Sequence, residues 1–192
     1  MRFFFLLACL ATFGCSHLEQ WGVQAPKKNE PFFRVRWSKN FDVHNPGNLG
    51  LTYGGVASAD DVLYVGTLGG IFQAIDSETG RVLWKQQEAE SIAAAGTVFG
   101  DFVYYGTQAG RLIVRQRLSG DLKYAIDLGS PIESAPVIAN GRLIIYLRGH
   151  QIACLDAETG KIIWNYRRAV PVTVTLQRTT RPLVIGERVF VG

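Results

Sequence analysis

Ile71-Phe72-Gln73-Ala74-Ile75-Asp76-Ser77-Glu78-Thr79-Gly80-Arg81-Val82-Leu83-Trp84 reads as two strands joined by a turn. It recurs as Gln151-Ile152-Ala153-Cys154-Leu155-Asp156-Ala157-Glu158-Thr159-Gly160-Lys161-Ile162-Ile163-Trp164. The turn has a local cause. An Asp side chain accepts hydrogen bonds from backbone N–H groups two or three residues on, and Gly takes the left-handed conformation that closes the hairpin without a Cβ clash. A more worn copy lies between them, with Leu118-Ser119-Gly120-Asp121 at the turn and Tyr124 at the tryptophan position. Gly80, Gly120 and Gly160 keep the three copies in phase, forty residues apart.

Upstream of each turn stands another apolar run, Val62-Leu63-Tyr64-Val65-Gly66-Thr67 in the first copy and Leu143-Ile144-Ile145-Tyr146-Leu147 in the third. A leading segment precedes that run, Ala93 to Phe99 in the second copy and Glu133 to Ala139 in the third. Compact turns separate the segments: Ala59-Asp60-Asp61, Gly100-Asp101, Asn140-Gly141 and Gly186-Glu187. Asn-Gly supplies the positive φ angles of a type I′ hairpin. Four short strands in about forty residues is the period of a β-propeller blade. The fold class expected is therefore all-β, a propeller of four-stranded antiparallel blades, with about three full blades plus a partial first and last.

Val35-Arg36-Trp37-Ser38-Lys39 reads as the tryptophan strand of a unit whose other strands are absent, and Val184 to Gly192 begins a further unit and stops in its second strand. Such units fall short of the roughly four to eight blades of a closed ring. The expectation is a truncated gene product or a fragment, or a chain that closes by self-association. Trp84 and Trp164 fall on the outermost strand, where an indole wedges between neighbouring blades as packing rather than chemistry.

Composition agrees with a globular body: 47% hydrophobic residues, 19% charged and 21 glycines among 192 residues. The net charge of +4 is spread over scattered groups such as Lys27-Lys28, Arg34/Arg36 and Arg167-Arg168, with no basic stripe interleaved with aromatics. Nucleic acid is not an expected partner.

Met1-Arg2 followed by the apolar run Phe3 to Ala11 reads as a signal peptide, too short for the roughly 20 residues of a spanning helix. Gly14-Cys15 resembles the end of a bacterial lipobox, although Thr12 and Phe13 depart from the pattern, and Leu6-Leu7-Ala8-Cys9 fits it better with little apolar segment before it. Cys15 is the expected lipidation site, with Cys9 the alternative, and acyl chains such as palmitate would hold the chain on a membrane. The organisation is thus 1–14 signal peptide, 15–33 flexible tether and 34–192 partial propeller. With Cys15 acylated, Cys154 has no disulfide partner and reads as a small buried hydrophobe.

The unit Val/Leu-Tyr-Val-Gly-Thr, Gly-x-Ile/Leu, Ala-Ile/Leu-Asp-x-x-Thr-Gly-x-x-x-Trp resembles the quinoprotein-type propeller repeat from Val35 to the C-terminus. With the lipobox it is similar to the BamB family of lipoproteins of the outer-membrane β-barrel assembly machinery. The resemblance implies a non-catalytic scaffold, lipid-anchored in the outer membrane and facing the periplasm, with the barrel insertase and nascent barrel proteins as partners. It also implies that Val172 to Pro182, following the third tryptophan strand, touches the insertase. Val174 and Leu176 take the aliphatic positions, Gln177 falls where a basic residue is expected, and Arg178 is displaced by one. The same stretch also reads as the first strand of the next blade, with Val172, Val174 and Leu176 alternating inward.

The same repeat builds dehydrogenases that use pyrroloquinoline quinone, which need carboxylates for Ca²⁺, a base and cationic groups for the quinone acids. Asp76 and Asp156 are accounted for by turns, and His17, His44 and His150 have no metal-pair or triad spacing. Gly54-Gly55 and Gly69-Gly70 are repeat turns rather than phosphate cradles. No cofactor, metal or catalytic residue is expected, and a dehydrogenase fragment is the alternative reading.

Overall fold

The structure is a computed structural model, described here for residues 34–39, 41, 55–169 and 180–191. Chain contacts divide it into two units, Met1–Val35 and Arg36–Gly192, and the account below concerns the second. It is all-β. Three four-stranded antiparallel sheets follow one another along the chain, each wound in sequence order. The first comprises β1 (Val56–Ala59), β2 (Val62–Gly66), β3 (Ile71–Asp76) and β4 (Val82–Gln87). The second comprises β5 (Thr97–Phe99), β6 (Phe102–Gly106), β7 (Arg111–Gln116) and β8 (Leu122–Asp127). The third comprises β9 (Val137–Ala139), β10 (Arg142–Leu147), β11 (Gln151–Asp156) and β12 (Ile162–Arg167), and β13 (Leu183–Ile185) pairs with β14 (Arg188–Phe190) in a two-stranded sheet. The leading strands β1, β5, β9 and β13 approach one another in turn, as strands at the hub of a propeller do.

Alternation along the strands gives each sheet two apolar faces, and these stack. Tyr64, Phe72, Ala74 and Trp84 of the first blade pack on Val103, Tyr105 and Ile113 of the second. Tyr104, Leu112 and Val114 on the reverse side pack on Leu143, Ile145, Ala153 and Leu155 of the third, whose far face meets Val184 and Val189.

Gly80, Gly120 and Gly160 occupy equivalent corners, at φ +71°, +78° and +74°. Each corner receives a ring from the preceding element. A Cβ on Gly80 would sit 2.8 Å from Trp37, one on Gly120 2.8 Å from Trp84, and one on Gly160 2.8 Å from Tyr124. The rings also donate hydrogen bonds to the carbonyl three residues before the glycine: Trp37 Nε1 to Ser77 (2.9 Å), Trp84 Nε1 to Arg117 (2.8 Å) and Tyr124 Oη to Ala157 (2.8 Å). The wedge is thus a packed and hydrogen-bonded lock. Trp84 is 8% exposed, whereas Trp164 is 36% exposed and meets no such turn among the described residues.

Two expectations about strands need correction. Val35 to Lys39, expected as a tryptophan strand, is not a strand, because its backbone joins no ladder among the described residues, although Trp37 still reaches its corner. The leading segments are strands only over Thr97–Phe99 and Val137–Ala139. The residue just before each segment is held by a loop of the preceding blade: Ile92 N–H donates to Thr67 O and Ile132 N–H to Thr107 O. Gly66 and Gly106 permit this approach, since a Cβ there would lie 2.3 and 2.1 Å from the Ile92 and Ile132 side chains.

Candidate functional site

Val174, Leu176, Gln177 and Arg178 lie outside the described residues, as do Cys15, Cys9, His17 and His44. The ends of the 170–179 connection are placed. Arg168 N–H donates to His150 O at 3.0 Å, and Pro182 leads into β13. Among the described residues the leading strand of the last sheet is Leu183–Ile185, and the expected alternation of Val172, Val174 and Leu176 lies outside them.

Arg168 leaves β12 at the end of the blades that holds the loops Thr67–Gly70, Thr107–Gly110 and Leu147–His150. These loops are cross-tied. Gln87 Nε2 donates to Gly69 O (2.9 Å), Ser91 Oγ to Leu68 O (2.6 Å) and Ser130 Oγ to Arg148 O (2.9 Å). Arg111 pairs with Glu90 at 3.4 Å, and Arg148 pairs with Glu133. His150, at φ +55°, meets Tyr146 Oη through Nδ1 at 3.0 Å. These bonds fix the platform from which the connection leaves.

Next to these loops is a polar cluster that the repeat pattern conceals. Glu88 Oε1 accepts from Tyr105 Oη (2.6 Å) and from both Nε (3.1 Å) and Nη2 (2.8 Å) of Arg115. Arg115 also donates from Nη1 to Gly120 O at 2.9 Å, which ties the cluster to the corner holding Trp84. The Tyr105 ring lies stacked on Phe72, centroids 3.7 Å apart, and burial pushes its hydroxyl far above the usual phenol range. The matching positions of the third blade, forty residues on, hold Leu128, Ile145 and Leu155. A signal was present in the sequence as three polar residues at positions that are apolar one repeat later. The cluster is buried and internally satisfied, so its chemistry is that of a structural cross-link.

At the other end of the blades the turn carboxylates behave as their spacing implies. Asp76 Oδ1 accepts from Thr79 Oγ1 (2.6 Å) and N–H (2.7 Å), and these bonds hold its carboxyl below the usual range. Asp156 accepts from Thr159 N–H and Oγ1, both at 2.8 Å, with the same consequence. Among the described residues no three His, Cys, Asp or Glu side chains are grouped closely enough to hold a metal ion. Cys154 is buried, and burial raises its thiol pKa.

The last four-stranded sheet ends, among the described residues, on an open outer strand. Among the described residues β12 pairs only with β11, and Ile162, Ile163, Trp164 and Tyr166 along it are all exposed. An exposed edge of this kind accepts an added strand through main-chain hydrogen bonds.

Comparison with known proteins places this architecture. The family model described as outer membrane protein assembly factor BamB matches residues 34–98 and 73–192. An outer membrane protein assembly factor BamB of Burkholderia pseudomallei is 28% identical over 115 residues, covering 59% of this chain and 30% of that protein. The dehydrogenase subunit of a quinone alcohol dehydrogenase of Gluconacetobacter polyoxogenes is 27% identical over 135 residues, covering 56% of this chain and 18% of the relative. The crystal structure of BamB from Moraxella catarrhalis superposes with a TM-score of 0.61 at 23% identity, over 72% of this chain and 42% of that one. The chain therefore spans less than a third of the length of these two curated relatives.

Proposed function

The chain belongs to the family described as outer membrane protein assembly factor BamB, and from that membership we propose that it is a non-catalytic scaffold assisting insertion of β-barrel proteins into the outer membrane. It is anchored through acylated Cys15 and faces the periplasm. Its partners are the barrel insertase and nascent barrel strands. The observation that carries this reading is the family match across the whole propeller body. It is supported by the cross-tied loops at the end from which the 170–179 connection leaves, which give that segment a rigid base. On this reading Val174, Leu176, Gln177 and Arg178 touch the insertase.

Pull-down of the insertase by the full chain tests the docking role. Leu176→Glu with Arg178→Glu abolishes capture, and unchanged capture rejects that role. Fatty-acid labelling that persists in Cys15→Ala rejects anchoring at this residue.

The likeness to quinone alcohol dehydrogenases, at an identity similar to that of the assembly factors, sustains a second reading as part of such an enzyme. A quinone–Ca²⁺ site needs grouped carboxylates and a base. The described residues do not fit that need, since Asp76 and Asp156 are committed to their threonines and Glu88 to Tyr105 and Arg115. Substrate-dependent dye reduction on adding pyrroloquinoline quinone and Ca²⁺ to the full chain would select the enzyme reading.

A further inference from the structure

Two clefts occupy equivalent positions between neighbouring blades on the face that carries the Asp-x-x-Thr-Gly turns, and one is closed while the other stands open. Between the first and second blades Arg117 crosses to Asp60 in an ion pair. Forty residues on, the same two positions hold Ala157 and Gly100, so the corresponding bridge cannot form. A cleft of about 410 Å³ remains there, lined by Phe99, Asp101, Phe102, Lys123, Asp156 and Glu158 among others. Tyr104 and Ala157 line it too, and the Tyr104 and Tyr124 hydroxyls both donate to Ala157 O, at 3.1 and 2.8 Å.

The lining is also peculiar to this junction. Phe99, Phe102 and Lys123 stand where the first blade has Ala59, Val62 and Leu83. Phe99 is 50% exposed, so part of its ring is open to a partner within the cleft. Lys123 Nζ lies over the Phe102 ring, 3.8 Å from its centroid, so a cation already rests on aromatic surface within the cleft. Asp101, Asp156 and Glu158 line the cleft with this one ammonium, and the Arg117 guanidinium, which also acts on Asp101, is already paired with Asp60. Asp101 and Glu158 have no ion-pair partner among the described residues. The charge left over is negative, and the free aromatic face is that of Phe99.

We propose that this cleft docks an extended segment of a partner protein through an arginine, its guanidinium stacked on Phe99 and bonded by Asp101 and Glu158, with apolar neighbours against Phe102. Arginine suits the site because a planar guanidinium both stacks on a ring and forms forked bonds to carboxylates. The proposal rests on the scaffold reading and adds a second surface, at the opposite end of the blades from Arg168.

The test is titration of the full chain with the peptide acetyl-Ser-Leu-Arg-Leu-Ser-amide, against the same peptide with glutamate replacing arginine. The arginine peptide binds saturably and the glutamate peptide does not. Asp101→Asn with Glu158→Gln weakens binding about tenfold, and binding falls with added salt. Gly100→Asp with Ala157→Arg rebuilds the bridge of the first cleft and removes binding. Asp60 already occupies the matching turn position at φ +46°, close to the +55° of Gly100. Thermal unfolding confirms that each variant is folded. Absence of binding, equal binding of the glutamate peptide, or affinities within about twofold of the parent in the carboxylate variant overturn the proposal. Insertase capture by the same variants is a separate readout, so loss of one with retention of the other distinguishes failure of this cleft from failure of the scaffold reading.

Discussion

Gly120→Ala is the sharpest probe of the corner that locks the first blade to the second. Two costs combine there. The residue sits at φ +78°, where an L side chain costs about 1–2 kcal/mol. Its new Cβ would also stand 2.8 Å from Trp84 Cδ2 and Cε3, and moving a packed ring to relieve such an overlap costs a further 1–3 kcal/mol or so. The expected loss is about 2–5 kcal/mol. Gly129→Ala is the matched control: its φ is +69°, and nothing lies within 4 Å of the added carbon, so only the backbone cost of about 1–2 kcal/mol applies. Trp84→Ala alone costs about 3–5 kcal/mol. In the Trp84→Ala background the clash is gone, so adding Gly120→Ala returns to about 1–2 kcal/mol, a coupling of about 1–3 kcal/mol. Urea midpoints with unchanged m-values measure all four. Equal losses at Gly120 and Gly129, or strict additivity with Trp84→Ala, would refute the lock.

Two further outcomes follow from the same geometry. Glu88→Ala strands Arg115 and the Tyr105 hydroxyl and costs about 3–5 kcal/mol, whereas Glu88→Leu/Tyr105→Ile/Arg115→Leu, which copies the third blade, stays within about 1 kcal/mol of the parent; denaturant unfolding separates the two. Asp76 and Asp156 titrate below the ordinary 3.8 in the folded chain, so the unfolded chain binds more protons there in acid. Their contribution is complete above that ordinary value and is lost as pH falls through the lower folded values. Melting temperatures of the parent and of Asp76→Asn/Asp156→Asn therefore converge between about pH 5 and pH 2, and a gap that ignores pH sinks the assignment.

The propeller was legible because its causes are local and repeated. A glycine that must take positive φ, a threonine three residues after an aspartate and an indole at fixed spacing each carry their meaning in the sequence, and repetition every forty residues multiplies it. The worn second copy shows the limit of that reading. Tyr124 was recognisable as a stand-in for tryptophan by position, yet its hydrogen bond to Ala157 could be found only once the third blade was in place. The irregular halves of the leading segments were misread because their apolar residues look like strand residues. The chain enters each segment from Ile92 or Ile132, whose N–H is bonded to Thr67 or Thr107 of the preceding blade, a contact that no local pattern reveals.

What the amino-acid order determined by itself is the blade: its strands, its turns and the phase of its glycines, all set by interactions within a few residues or across one hairpin. What tertiary structure alone decided is what happens between blades. Glu88, Tyr105 and Arg115 are spread over 28 positions and meet only because adjacent sheets stack. Arg117 closes one cleft while Ala157 leaves the next open, since whether a side chain bridges a gap depends on which residue stands across it in space.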